Sequence, residues 1–145
     1  MASFGEESRG NLDTCHPDLQ RLFIEVVKWF DCSVLYGHRN EQLQNKMYNS
    51  VPKITNAKWP DSTHNTVPSN GIDVVPYPIH WPDLKNRPER FTKDMGRFYM
   101  FDGFVLATAK QMGIEIISGS DWDRDFTLTD QTFDDLAHFQ RVVEL

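Results

Sequence analysis

The chain has 145 residues, of which 39% are hydrophobic and 25% charged, a balance that fits one globular domain with a modest core and excludes a disordered or fibrous chain. Its net charge of −6 argues against a nucleic-acid partner, which favours a basic face. No apolar run approaches the roughly 20 residues of a membrane-spanning helix, and the polar, slightly acidic stretch 1–11 lacks the basic and apolar regions of a secretory signal.

In chain order, residues 1–14 read as a flexible lead-in and 15–145 as the domain. His16-Pro17-Asp18 opens a helix, because proline suits the first turn and an acid suits the N-terminal dipole. Leu19, Leu22, Phe23, Val26, Val27 and Phe30 then recur at steps of three and four, to about Asp31. Residues 32–36 are β-prone and end at Gly37, and 41–48 can form a shorter helix. Residues 49–70, rich in Pro, Asn, Ser and Thr, form a long loop of the kind that usually carries function or is disordered. A strand over 71–75 is stopped by Pro76 and Pro78, and 79–90 is a Pro-rich connection. The longest helical pattern is 91–112, apolar on one side and stopped by Gly113. A strand over 114–117, an Asp-rich loop over 118–135 and a last strand over 138–143 complete the chain. The fold class is α+β: two main helices against a small antiparallel sheet. The two cysteines, Cys15 and Cys32, form no CxxC pair and read as reduced thiols, with a disulfide between them the alternative.

His64 and His138 lie beside strands, and Asp73 falls inside one, among Ile72, Val74 and Val75. A carboxylate in an apolar strand needs a partner, because an unpaired buried charge is costly. Two imidazoles and a carboxylate suit a catalytic zinc ion, which takes three protein ligands and keeps a fourth position open. Hydrolysis also needs a proton carrier off the metal. Asp135, three residues before His138, is the first candidate and Asp134 the competitor. Taken singly, each of these residues has a commoner reading: a surface histidine, or an aspartate held by backbone donors.

Their arrangement resembles a known family. Ser62-Thr63-His64-Asn65, Pro68-Ser69 and Gly71-Ile72-Asp73-Val74-Val75-Pro76-Tyr77 are similar to the first zinc motif of the D-Ala-D-Ala carboxypeptidase-like zinc peptidases. Phe133-Asp134-Asp135-Leu136-Ala137-His138-Phe139 resembles the second motif, Gly37-His38-Arg39 the preceding Gly-x-Arg segment, and Gly119-Ser120-Asp121-Trp122-Asp123 a segment common in phage members. The resemblance runs from about His16 to Val143 and is closest to phage endolysins of the L-alanyl-D-glutamate endopeptidase type. It implies a hedgehog/DD-peptidase-like fold with zinc in an open groove, His64, Asp73 and His138 as ligands, Asp135 as acid/base, and Arg39 holding the carbonyl oxygen as it gains charge. It further implies peptidoglycan stem peptides as substrate; the lack of a signal in 1–11 fits a protein held in the host cytoplasm until it reaches the periplasm, as for phage lysins, and a monomer is expected. The alternatives are a D,D- or L,D-carboxypeptidase trimming terminal D-Ala, and a non-catalytic structural zinc module. Three positions depart from the family pattern: Asn40, Gly71 and Gln140, the last expected to alter the polarity around the metal more than the binding itself.

A second cation site is a separate expectation. Asp121, Asp123 and Asp125 alternate along the chain, and hard oxygen ligands suit Ca2+. The EF-hand pattern is not met, since Phe126 and Thr132 stand where it needs Gly and a bidentate carboxylate. The ordinary reading is a solvated acidic loop with aspartates capping turns. Trp59, Trp81 and Trp122 read either as groove-lining rings or as plugs over a small core.

Overall fold

Two helices precede the first strand in the computed structural model, which describes residues 1–143; residues 144 and 145, the end of the expected domain, lie outside it. The first, α1 (Glu6–Leu12), stands where the sequence reads as a flexible lead-in. Leu12 is fully buried, and α1 packs on strand β1 (Cys32–Tyr36). The Asn11 amide donates to the carbonyls of Val34 (3.0 Å) and Leu35 (3.3 Å), and the Ser8 hydroxyl accepts the Val34 N–H at 3.0 Å. The lead-in reading fails because one apolar residue in a polar helix gives no periodicity to see.

Helix α2 (Pro17–Trp29) begins as expected, with the His16 imidazole accepting the Asp18 N–H at 3.1 Å and Pro17 in the first turn. It buries Leu19, Leu22, Phe23, Val26 and Val27. Helix α3 (Glu41–Asn49) is capped by Asn40, whose side-chain oxygen accepts the Leu43 N–H at 2.8 Å. Helix α4 (Phe91–Met112) matches its sequence expectation at both ends.

Strands β2 (Gly71–Pro76), β3 (Ile116–Ser118) and β4 (His138–Arg141) join β1 in a four-stranded sheet of order β1-β2-β4-β3, every pair antiparallel. Strand side chains alternate faces. Val34, Ile72, Val74, Ile116 and Phe139 enter the core with α2 and α4, where Phe139 meets Phe23 edge-to-face at 5.4 Å. Burying a side chain of this size stabilises by roughly 1.5–3 kcal/mol, which fixes the register that a slip of one residue would invert. Asp73 and His138 are thereby held on the opposite face. No helix among the described residues is long and apolar enough to cross a membrane.

Candidate active site

Register brings two of the three expected ligands together. Asp73 on β2 stands directly opposite His138 on β4, and Tyr36 on β1 stands opposite Asp73 from the other side. Directly opposed side chains share a face and touch. The third, His64, arrives on a short 3-10 helix, Thr63–Asn65. Ser62 caps that turn reciprocally: its hydroxyl accepts the His64 N–H at 3.2 Å, and its own N–H donates to the Asn65 side chain at 3.0 Å. The turn lies tight on β2 because residue 71 is glycine. A Cβ there would strike the Thr63 hydroxyl and crowd the His64 backbone, so an alanine at 71 would push this turn off the strand.

His64, Asp73 and His138 are 2%, 8% and 7% exposed, and one ligand atom from each lies within 4.8 Å of the others. Asp73 Oδ1 is 3.3 Å from His64 Nε2 and 3.2 Å from His138 Nδ1. The outward ring nitrogens are each spoken for. His64 Nδ1 lies 2.7 Å from the Gly37 carbonyl, and His138 Nε2 lies 2.8 Å from Gln140 Oε1. Both oxygens only accept, so both nitrogens donate, and in the neutral rings the inward nitrogens carry lone pairs. His64 Nε2 is buried with no hydrogen-bond partner. Two lone pairs aimed at one carboxylate oxygen repel unless a proton or a metal ion lies among them. Fixing the tautomer through the far nitrogen is the usual support of a metal-binding histidine. The donor set therefore fits zinc.

Burial alone would raise the Asp73 carboxyl, but His138 and His64 overcome it and hold the group well below the usual carboxylate range. Burial pushes the His138 imidazole down, and Asp73 more than reverses that.

Arg39 is 5% exposed and lies against the Tyr36 ring, its guanidinium carbon 4.6 Å from the centroid. Its Nη2 donates to Asp73 Oδ2 at 2.6 Å, so the expected oxyanion donor is first a partner of an expected metal ligand. Its backbone N–H donates to the His64 carbonyl at 2.8 Å. Beneath it, buried Gln44 donates to the Ala57 carbonyl (2.7 Å) and accepts from Asn65 (3.2 Å), while Asn65 also donates to the Arg39 carbonyl (3.1 Å). This amide relay ties α3 and the 49–62 loop to the turn bearing His64. Composition hid it, because glutamines and asparagines are ordinarily surface residues.

Asp135 is half-buried and lines the groove with His64, Asp73 and His138. Its N–H donates to the Gly119 carbonyl (3.0 Å) and its carbonyl accepts from the His138 N–H (3.1 Å), while the Gly119 N–H donates to the His138 carbonyl (2.8 Å). A Cβ on residue 119 would overlap the Asp135 backbone. Burial, and then the charge of Asp73, push the Asp135 carboxyl up. Asp134 is engaged elsewhere, accepting from the Tyr99 hydroxyl at 2.8 Å and from the Gln131 amide. The groove has a volume of about 770 Å³ and is edged by Trp81, Trp122 and Phe133.

The structure also brings Asp121, Asp123 and Asp125 within 4.8 Å of one another. Buried Asp121 spends its oxygens on the N–H groups of Asp125 (3.3 Å) and Phe126 (2.9 Å), and Asp125 accepts the Thr127 N–H at 2.7 Å. These are turn caps, and nothing in the loop supports calcium beyond the proximity of the carboxylates.

A family model described as phage L-alanyl-D-glutamate peptidase matches residues 1–142. Among solved structures, the Serratia marcescens L-Ala D-Glu endopeptidase ChiX is similar at a TM-score of 0.64 and 22% sequence identity, covering 96% of this chain and 89% of that one. That likeness supports a DD-peptidase-like fold. A search of curated proteins gives no match.

Proposed function

We propose, from the premise that this chain belongs to the phage L-alanyl-D-glutamate peptidase family, that it cuts the L-Ala–D-Glu bond of peptidoglycan stem peptides with a zinc ion held by His64, Asp73 and His138. The observation that carries the zinc reading is the convergence of three ligand atoms within 4.8 Å, with the outward nitrogen of each histidine already bonded. Zinc, when bound, supplies Lewis acidity that makes water a nucleophile near neutral pH and polarises the scissile carbonyl.

The residues around the ligands divide the rest of the work. Asp135 takes a proton at its carboxylate and delivers it to the departing amine of D-Glu. Its raised affinity for protons suits a group that must be base and then acid. Arg39 fixes Asp73 through Nη2, and the rest of its guanidinium, at the groove wall, steadies the oxygen that gains charge. Gln140 holds the His138 ring through Nε2. The protein acts as a monomer, kept in the host cytoplasm until lysis exposes the wall.

Digestion of purified Gram-negative peptidoglycan tests this, with chelator, zinc add-back and mass analysis of the fragments. Zinc-dependent release of new L-Ala and D-Glu ends is the expected result. Loss of a single terminal D-Ala would mean a carboxypeptidase, and stoichiometric zinc without turnover a structural module.

A further inference from the structure

We propose that Trp81 is a stacking platform for the muramyl sugar that carries the stem peptide, and so a specificity-determining residue of the groove; the inference rests on the L-Ala–D-Glu reading above. Trp81 lines the groove yet is 53% exposed. Its ring stacks on Phe98 at 5.3 Å and 22° between planes. Phe98 is 1% exposed and packs with Val75 and Ala137, the latter next to His138. The chain leading to Trp81 is braced from α4, where Arg97 donates to the carbonyls of Pro78 (2.6 Å) and Tyr77 (2.8 Å). One face of the indole is thus backed by a rigid ring and the other is open. A plug over Phe98 needs only the backed face, and a smaller apolar side chain would serve. A broad ring held with its outer face free is pre-organised for a flat ligand, which cuts the ordering cost of binding.

Substrate chemistry names that ligand. In the stem peptide, L-Ala is joined through its amino group to the lactyl carboxyl of muramic acid. The sugar therefore begins one residue from the scissile carbonyl, within about 10 Å at roughly 3.5 Å per extended residue. An enzyme for this bond meets the sugar, and the groove, at about 770 Å³, lies in the upper part of the range for ligand pockets. A pyranose offers a face of C–H groups to an aromatic ring. The other aromatic pair in the groove is engaged in holding the metal side: Trp122 stacks on Phe133, donates to its carbonyl at 2.9 Å, and lies 5.7 Å from the His138 ring.

Two substrates with the same scissile bond test the assignment: muramyl-L-Ala–D-Glu–diaminopimelate and acetyl-L-Ala–D-Glu–diaminopimelate. Trp81→Ala is expected to lose roughly tenfold more kcat/KM on the muramyl than on the acetyl substrate, chiefly through KM, the scale of one aromatic stack. Trp81→Phe should recover most of it, and carries the comparison if Trp81→Ala melts below assay temperature. Equal losses on both substrates, or none on either, would overturn the proposal in favour of a structural plug. A wild-type protein that cleaves neither substrate would overturn the parent reading, and this one with it.

Discussion

The groove and the acidic loop each gather three side chains of ligand type within 4.8 Å, yet they are opposites in what they leave unused. At His64, Asp73 and His138 the supporting bonds are made outward, and the atoms left over point inward at one another. At Asp121, Asp123 and Asp125 the inward oxygens of the buried member are filled by backbone N–H groups, and the other two aspartates are exposed to water. Counting ligands would score the two clusters alike. Unspent bonding capacity in a buried place separates them, because only there is an empty site costly to the fold.

The contrast breaks first if its strong side is not needed. His138→Ala should lose stoichiometric zinc and roughly a thousandfold or more in peptidoglycan hydrolysis, the scale of several kcal/mol of transition-state stabilisation. Asp123→Ala on the weak side should keep both and change stability by no more than about 0.5 kcal/mol. Metal analysis beside a turbidity assay and a denaturant titration decides the matter. Asp135→Ala sharpens it from within the groove: zinc content and melting temperature are retained while kcat falls by about 10²–10⁴. Full activity in that variant removes Asp135 from the chemistry.

Gln140→Leu tests the claim that outward bonds prepare the inward ones. Without an acceptor for His138 Nε2, zinc affinity should fall by about 10–100-fold, read by competition with a chromophoric chelator.

Asp102 on α4 offers a pH test beneath the acidic loop. It is 1% exposed, accepts from the Ser118 hydroxyl at 3.3 Å, and leaves Oδ1 without a partner. Burial is the chief cause that pushes its carboxyl up to about 8. The folded chain thus keeps a proton that the unfolded chain releases near pH 4. The stability this group contributes is whole below that pH and is lost as pH rises through about 8. Wild type should lose roughly 3–4 kcal/mol between pH 5 and 8 relative to Asp102→Asn, by denaturant titration at each pH. Parallel curves would mean Asp102 is ionised in the fold. The smallest effect is calcium: millimolar additions should move the melting temperature by less than about one degree, since the stabilisation depends on concentration over Kd. A larger shift would erase the distinction between the clusters.

Much of this was legible in the chain. The spacing of Phe98, Phe101 and Val105 with Gly113 behind them marks α4 to the residue. The strand around Asp73 is visible because apolar neighbours flank a charge that has no business there unpartnered. Relations across long separations were hidden. Arg39 and Asp73 are 34 residues apart and His138 and Asp73 are 65 apart; the sheet register joins the second pair, and the turn after β1 carries Arg39 to the first. Asp102 leaves no mark on the apolar helix pattern around it, since one polar residue hardly alters a periodicity. Gln140 was legible as a neighbour of the site, because a residue two after His138 on a strand shares its face, but its direct bond to the His138 ring was not.

The pinch at Gly119 has an architectural consequence. Residues 120–134 leave and rejoin the molecule at one point, because the Gly119 carbonyl holds the Asp135 N–H while the Gly119 N–H holds the His138 carbonyl. The excursion is a purse closed at its drawstring. Its tip around 124–129 is exposed, and such tips are where chains accept insertions. Asp135 stays seated by the drawstring whatever the tip contains, so residues 124–129 are where cargo can be fitted without moving Trp122 and Phe133 at the groove.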